Sequence, residues 1–148
     1  MSLLMSRAGS KGLGIRVLKN GQMGYAYTSD FSSDSVHKST EAALALAEVA
    51  DGDEHRHLPE PQTIPDVDLQ IYDEAIANLP TEAKVDFALK VEESALKADP
   101  RVVMTNRASY VDSIATVYLT NSKGFSGSYD STFAASFVSA MAAAKVLS

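Results

Sequence analysis

Residues 101–137 read RVVMTNRASYVDSIATVYLTNSKGFSGSYDSTFAASF and form the longest strand-like run in the chain. Within this run, residues 102–107 and residues 114–119 alternate with a period of two, which is typical of half-buried strands. Residues 121–124 then favour a tight turn, because they begin with Asn and end with a Gly that tolerates a left-handed conformation. The stretch therefore predicts an antiparallel ladder of three strands that extends to about Ser136.

The composition limits the kinds of protein that this chain can be. Its 148 residues are 45% hydrophobic, which is enough for one core or for two small ones. Thirteen Lys and Arg against nineteen Asp and Glu give a net charge of −6, which opposes binding to nucleic acid or to an anionic membrane. The absence of cysteine excludes disulfides and thiolate zinc sites, and residues 1–5 are too short for a secretory signal. We therefore expect a cytoplasmic protein with no direct nucleic-acid or membrane partner.

A β-hairpin is predicted before residue 30. Residues 13–28, LGIRVLKNGQMGYAYT, contain two alternating runs joined by Asn20-Gly21, and a type I′ turn needs positive φ at both of these positions. On one face this register pairs three sets of residues: Leu18 with Met23, Arg16 with Tyr25, and Gly14 with Tyr27. Because an isolated hairpin is only marginally stable, it must pack on another element.

Two helices follow from the spacing of apolar residues. The first has Ser32 or Ser33 as its N-cap, carries an alanine-rich face and is followed by Gly52 as its C′ residue. The second covers residues 81–98 with Thr81 as its cap, and it ends before Pro100 because the residue preceding a proline disfavours helix.

The predicted fold is α+β, with a β-hairpin plus helix followed by helices that lead into an antiparallel sheet. Residues 51–66 contain three of the five prolines and are predicted to connect two units. The expected domains are residues 1–58, for the hairpin and its helix, and residues 59–148, for the helices and the sheet.

Metal and catalytic chemistry find little support in the sequence. His55-Arg56-His57, flanked by acidic residues, has metal-ligand types, but without a fixed scaffold or a fourth ligand a solvated charged linker is favoured. His37 is expected to stand alone on the first helix, with no Glu four residues on. No histidine is followed directly by Glu, so no zincin motif exists, and the hydroxyls of residues 122–136 lack a histidine base. We predict no catalytic and no metal-binding residue.

Aromatic residues recur every four positions in the last third of the chain, at Phe125, Tyr129, Phe133 and Phe137. This spacing places them on one face of a strand. One interpretation is a face meant for another domain or chain. The alternative is a core row covered by the helix of residues 81–98, although one helix about 10 Å wide covers only part of three strands. Both interpretations stay open at this point.

Short segments along the chain match a known family in their order and spacing. They are GIRV at 14–17, GYA at 24–26, SDF at 29–31, AALA at 42–45, DLQIYD at 68–73, EESALKADPRV at 92–102 and TNSKGF at 120–125. Together they resemble the TldD/PmbA family, candidate modulators of DNA gyrase related to metallopeptidases. The turn with Asn121, Ser122 and Gly124 and the end of the second helix are closer to the PmbA-like branch. The chain resembles an N-terminal and middle-domain fragment of such a protein.

The resemblance implies a metallopeptidase system in which TldD-like and PmbA-like subunits pair and act on peptides or unstructured proteins. It also implies zinc held by a His-Glu-x-x-x-His motif on the TldD-like partner, so that no cofactor is expected in this chain. We expect a non-catalytic structural and interaction part of a PmbA-like subunit, which binds a TldD-like subunit or forms a homo-oligomer. The alternative is a free-standing binding module without proteolytic activity.

Overall fold

The structure is a computed structural model that describes residues 4–60, 63, 65 and 67–143. The chain divides into two compact units, Met1–Glu60 and Pro61–Ser148. The first unit contains β1 (Leu13–Lys19), β2 (Gln22–Thr28) and α1 (Ser33–Val49), and the second contains α2 (Glu74–Ala77), α3 (Thr81–Ala98), β3 (Val102–Thr120) and β4 (Ser126–Ala142). The predicted α+β fold class, with a hairpin and helix ahead of an antiparallel sheet, is confirmed.

The hairpin of the first unit has the predicted register. Asn20 and Gly21 both have positive φ, at 54° and 76°, as a type I′ turn requires. Arg16 lies opposite Tyr25, and the other pairs follow in step. Ser32 is the N-cap of α1, since its hydroxyl accepts a hydrogen bond from the Ser35 amide at 3.3 Å.

The core of the first unit lies where α1 crosses the hairpin. Ala43 and Ala47 on α1 are fully buried, and they sit directly on the backbone of β2. A Cβ added to Gly24 would lie 2.5 Å from the Ala47 nitrogen and closer still to the Ala43 carbonyl oxygen. Glycine on the strand and alanine on the helix therefore bring the two backbones together.

The predicted C′ position of Gly52 is wrong by one residue. The helix ends at Val49, and Ala50 is an extended C-cap with ψ 153°. The side-chain amide of Gln22 donates to the Ala50 carbonyl at 2.8 Å. This carbonyl is satisfied by the hairpin, so the chain leaves the helix before it reaches the glycine.

The second unit contains two long strands and not the predicted ladder of three. Residues 102–107 and 114–119 belong to one continuous strand, β3, because the sequence between them has no turn-forming Gly or Pro. β4 pairs antiparallel with β3 and continues past Ser136 to Ala142. Register shifts at Val103 and Asn106 mark two irregularities near the start of β3. We call this two-stranded element the ribbon.

Helix α3 packs on one face of the ribbon. The ring of Phe87 meets Tyr110 edge-on, with centroids 5.7 Å apart, and Lys84 forms a half-buried ion pair with Asp112. The helix has 18 residues and β4 has 17, which correspond to about 27 Å and about 58 Å. The helix can therefore back only about half of one face.

Two local features of the second unit complete the fold. Thr81 is not the predicted cap but the first helical residue of α3, because Pro80 takes the N-cap position without a side-chain hydrogen bond. Upstream, the Thr132 amide on β4 donates to the Ile71 carbonyl at 3.0 Å, and the Asp73 amide donates to the Thr132 hydroxyl at 2.9 Å.

In the described residues, no helix combines the length and the apolar character that a membrane crossing requires.

Candidate interaction face

Three of the four predicted aromatic residues lie on one face of β4. Tyr129, Phe133 and Phe137 are separated by four residues each, and alternate side chains of a strand share a face. Their partners on β3 lie directly opposite, and in antiparallel strands opposite residues point the same way: Val117, Ser113 and Ser109. The row therefore extends across both strands of the ribbon.

This row points away from α3. The β3 residues that meet the helix include Tyr110 and Asp112, paired with Ser136 and Ala134. These pairs have the opposite parity to Phe133 and Phe137, so they occupy the other face. The interpretation of the aromatic residues as a core row under the helix is therefore wrong.

The face opposite α3 is both apolar and exposed. Tyr129, Phe133 and Phe137 are 51%, 58% and 46% exposed. Other large apolar side chains of the same face are also exposed: Met104, Val111, Val117, Leu119 and Met141. We call this surface, formed by these eight residues, the aromatic face. An apolar patch of this extent on a soluble protein commonly marks a contact with another domain or chain.

Charge is scarce on the aromatic face. Among the described residues it carries one charged side chain, Arg107, whose guanidinium lies 5.8 Å from the centre of the Phe137 ring. The ribbon carboxylates Asp112 and Asp130 lie on the opposite face. A surface without carboxylates can be covered by another apolar surface at little desolvation cost.

Ser109 adds a polar feature to this surface. Its hydroxyl oxygen is buried, and no partner for it is found among the described residues. The neighbouring Ser136 hydroxyl donates instead to the Ser109 carbonyl at 3.0 Å.

Phe125 does not lie on β4, although its spacing matches the other three aromatic residues. It precedes the first residue of the strand, Ser126, and is half-buried in the connection from β3. The side chain of Asn121 organises this turn, since its oxygen accepts the amides of Lys123 at 2.9 Å and Phe125 at 3.2 Å. Gly124 has φ 91°, so the predicted left-handed glycine is present. Ser122 is exposed at the tip.

Sequence reasoning found the β4 half of the aromatic face but missed the β3 half. Met104 was assigned to one predicted strand and Val117 and Leu119 to another, while Val111 lay between the two, so their common orientation was hidden. One signal was present, since residues 108–113 contain no Gly or Pro that would end a strand.

The three histidines are exposed on the surface. In the part of the chain that the structure describes, no group of three or more His, Cys, Asp or Glu side chains could hold a metal ion. His55 lies 3.7 Å from Glu54, and the His57 ring nitrogen Nδ1 lies 2.9 Å from the His55 carbonyl. The expectation that His37 stands alone is wrong, because Glu41 follows one helical turn later and lies 3.4 Å away.

A charged pair fixes the chain where α3 passes into β3. The Asp99 carboxylate accepts hydrogen bonds from the backbone amide and the guanidinium of Arg101 at 2.8–2.9 Å. The hydrogen bond with the Arg101 side chain lowers the pKa of Asp99, and the backbone amide adds to this effect. Because Asp99 is also the C-cap of α3, the pair sets the direction in which the ribbon begins.

The sequences of the two units each match a known family. A family model for the PmbA/TldA metallopeptidase central domain matches residues 74–146, and a model for domain 1 of the same family matches residues 5–47. The chain belongs to the PmbA/TldD family. The first match includes α2, α3 and the ribbon, and the second includes the hairpin and most of α1.

Individual relatives agree with this assignment. The chain is 33% identical over 119 residues to the metalloprotease PmbA homolog of Haemophilus influenzae, and the match covers 79% of this chain and 26% of that protein. This chain therefore spans about a quarter of the length of that relative.

Solved structures show the same fold. A candidate modulator of a DNA gyrase from Thermotoga maritima matches with TM-score 0.73 and 26% identity over 93% of this chain and 30% of that one. A candidate modulator of DNA gyrase from Bacteroides thetaiotaomicron matches with TM-score 0.77 and 25% identity over 90% of this chain and 31% of that one. TldE from Thermococcus kodakarensis shares the fold, with TM-score 0.70 at 18% identity over 89% of this chain and 29% of that one.

Proposed function

We propose that this chain is a non-catalytic structural and interaction portion of a PmbA-like subunit. In this proposal the subunit works in a TldD/PmbA-type metallopeptidase complex that acts on peptides or unstructured proteins. The zinc belongs to the TldD-like partner, and this chain contributes contact surface. Family membership supports the setting, and the aromatic face supports the role.

The observation that carries the proposal is the exposure of the aromatic face on the side of the ribbon that α3 leaves open. Among the described residues of the second unit no side chain is fully buried, so its apolar residues form no closed core of their own. Covering Tyr129, Phe133 and Phe137 removes the largest exposed rings of β4 from water, at roughly 25 cal/mol per Å² of apolar area. A TldD-like subunit is the partner that the family assignment suggests.

Binding assays on the 148-residue chain test this proposal. Phe133→Ser removes a central ring of the aromatic face, while Tyr118→Ser removes a more exposed ring from the opposite face of the same ribbon. Tyr118 is 79% exposed, so its loss controls for general effects on solubility and folding. We expect Phe133→Ser to weaken capture of a co-expressed TldD-like subunit by about tenfold or more, and Tyr118→Ser to leave it unchanged.

Two results count against the proposal. If both variants capture the TldD-like subunit as well as the original chain does, the aromatic face is not the contact. If the original chain captures no TldD-like subunit and sediments as a stable monomer, the role as a subunit portion is lost. If the chain forms a homodimer and Phe133→Ser dissociates it, the aromatic face is still the contact, but the partner is a second copy of the chain and not a TldD-like subunit.

A further inference from the structure

The outer face of the β1–β2 hairpin is a second exposed surface, in the first unit of the chain. Side chains of opposite parity to Gly24 point away from α1: Arg16, Leu18, Met23, Tyr25 and Tyr27. Tyr25 and Tyr27 are 51% and 62% exposed. We call these five residues the tyrosine face. It differs from the aromatic face in the way its rings are held.

The two tyrosine rings are held in place by glycines. Tyr25 lies diagonally across the hairpin, so that a Cβ added to Gly14 would lie 2.5 Å from the Tyr25 hydroxyl oxygen. Tyr27 covers Gly12 in the same manner. Each ring thus rests on bare backbone with its other side open to solvent. Rings that are ordered before binding lose little conformational freedom when a ligand covers them.

The hairpin and the residues before it carry a charge opposite to that of the rest of the chain. Residues 1–29 contain four basic residues and no Asp or Glu, whereas residues 30–148 contain nine Lys and Arg against nineteen Asp and Glu. Lys19 is paired with Glu48 at 2.9 Å, and Lys11 lies 4.7 Å from the Phe31 ring centre.

Arg16 is the cation at the centre of this surface. It lies directly opposite Tyr25 on the hairpin, and its side chain is exposed. Within the described residues, no hydrogen bond or ion pair engages its guanidinium. Beside it, the phenol groups of Tyr25 and Tyr27 can each donate one hydrogen bond.

We propose that the tyrosine face binds an acidic, extended segment of a partner protein. A guanidinium binds a carboxylate through two parallel hydrogen bonds, and the Tyr25 and Tyr27 rings offer flat apolar contact for the stem of a Glu side chain. In an extended segment, alternate side chains point to the same side. They can therefore follow the row of side chains on the tyrosine face.

An acidic peptide fits this surface better than nucleic acid does. Arg16 alone can neutralise about one phosphate, which is too little for useful affinity. Nucleic-acid binding depends mainly on several phosphate contacts, whereas a peptide segment also gains apolar contact from the two tyrosine rings. This inference concerns the first unit and does not depend on the role proposed for the ribbon.

Fluorescence anisotropy on the 148-residue chain tests the inference. The probe is a labelled synthetic peptide of alternating Glu and Ala, compared with the same peptide carrying Gln in place of Glu. We expect the Glu peptide to bind in a salt-sensitive manner and Arg16→Gln to weaken it by about tenfold. Arg56→Gln makes the same charge change in the linker and is expected to leave the affinity unchanged.

A second variant separates binding from folding. Tyr27→Phe keeps the ring over Gly12 and removes only the hydroxyl, and we expect it to weaken binding by a smaller factor than Arg16→Gln. The inference is overturned if the Gln peptide binds as tightly as the Glu peptide, or if Arg16→Gln and Arg56→Gln behave alike. It is also overturned if oligothymidylate displaces the Glu peptide, because the occupant is then nucleic acid. A dimer of the chain that Arg16→Gln dissociates would likewise overturn it, because the occupant is then a second copy.

Discussion

Replacing Gly24 with Ala perturbs the closest contact in the first unit. The added Cβ would lie 2.5 Å from the Ala47 nitrogen and 2.9 Å from the Ala43 carbonyl carbon, whereas ordinary contact begins at 3.4 Å. These are backbone atoms of α1, so no flexible side chain can move aside. The Ala43 carbonyl oxygen would lie closer still, so the helix must retreat from the hairpin by more than about 1 Å, which forfeits about half or more of each dispersion contact across the interface.

The expected cost follows from two opposing effects. Overpacking typically costs about 1–3 kcal/mol, and the upper end applies because the clash involves backbone at the most buried point of the unit. Removing a glycine also restricts the unfolded chain, which returns about 0.4–1 kcal/mol. We expect a net loss of about 2 kcal/mol in the free energy of unfolding, or roughly 8–16 °C in Tm for a unit of this size.

Urea denaturation followed by circular dichroism measures this loss, and amide hydrogen exchange in α1 assigns it to the first unit. Gly9→Ala is the matched control, because a Cβ at Gly9 meets no atom within 4 Å. Ordinary surface substitutions change the free energy of unfolding by at most about 0.5 kcal/mol. If the free energies of unfolding of Gly24→Ala and Gly9→Ala differ by no more than this, the close approach of α1 to β2 is not what stabilises this unit.

Two further predictions concern the ends of the ribbon. At the tip, Gly124→Ala forces a side chain into φ 91° and is expected to cost about 1 kcal/mol in urea denaturation; an unchanged midpoint would contradict the positive-φ turn. At the base, the pKa of Asp99 is expected below its ordinary 3.8 because of Arg101, as carbon NMR titration can measure. A carboxyl with a lowered folded-state pKa stabilises the fold above its unfolded pKa, and this contribution is lost as the pH falls below 3.8 through the folded pKa. Arg101→Gln should return the Asp99 pKa towards 3.8, and an equal pKa in both proteins would refute the pairing.

The first unit could be predicted from the sequence almost in full. The Asn20-Gly21 turn fixes the hairpin register by itself, since few other dipeptides tolerate positive φ at two successive residues. Ser32 is a standard N-cap choice. The end of α1 was missed because it depends on Gln22, a residue distant in sequence whose side chain reaches the Ala50 carbonyl. The helix preferences of neighbouring residues cannot predict such a long-range contact.

The ribbon was harder to predict, although its sequence is strongly patterned. Strand periodicity shows which residues share a face, but it does not show which face a helix will cover. Tyr110 and Asp112 contact α3, and they lie on the opposite face of the ribbon from Phe133 and Phe137. This placement shows that the two phenylalanines form an open surface and not a core row. This contact is a tertiary property. The number of strands was overestimated because 19-residue strands such as β3 are much longer than the usual five or six residues.

The two irregular positions near the base of β3 affect how this ribbon tolerates changes in length. Removing one residue from a regular strand turns every later side chain to the other face. Val103 and Asn106 are already without a partner in the ladder, so the loss of either one leaves the pairing from Arg107 onwards intact. A deletion at either position therefore shortens the base of β3 while Tyr129 and Phe133 keep facing the same way.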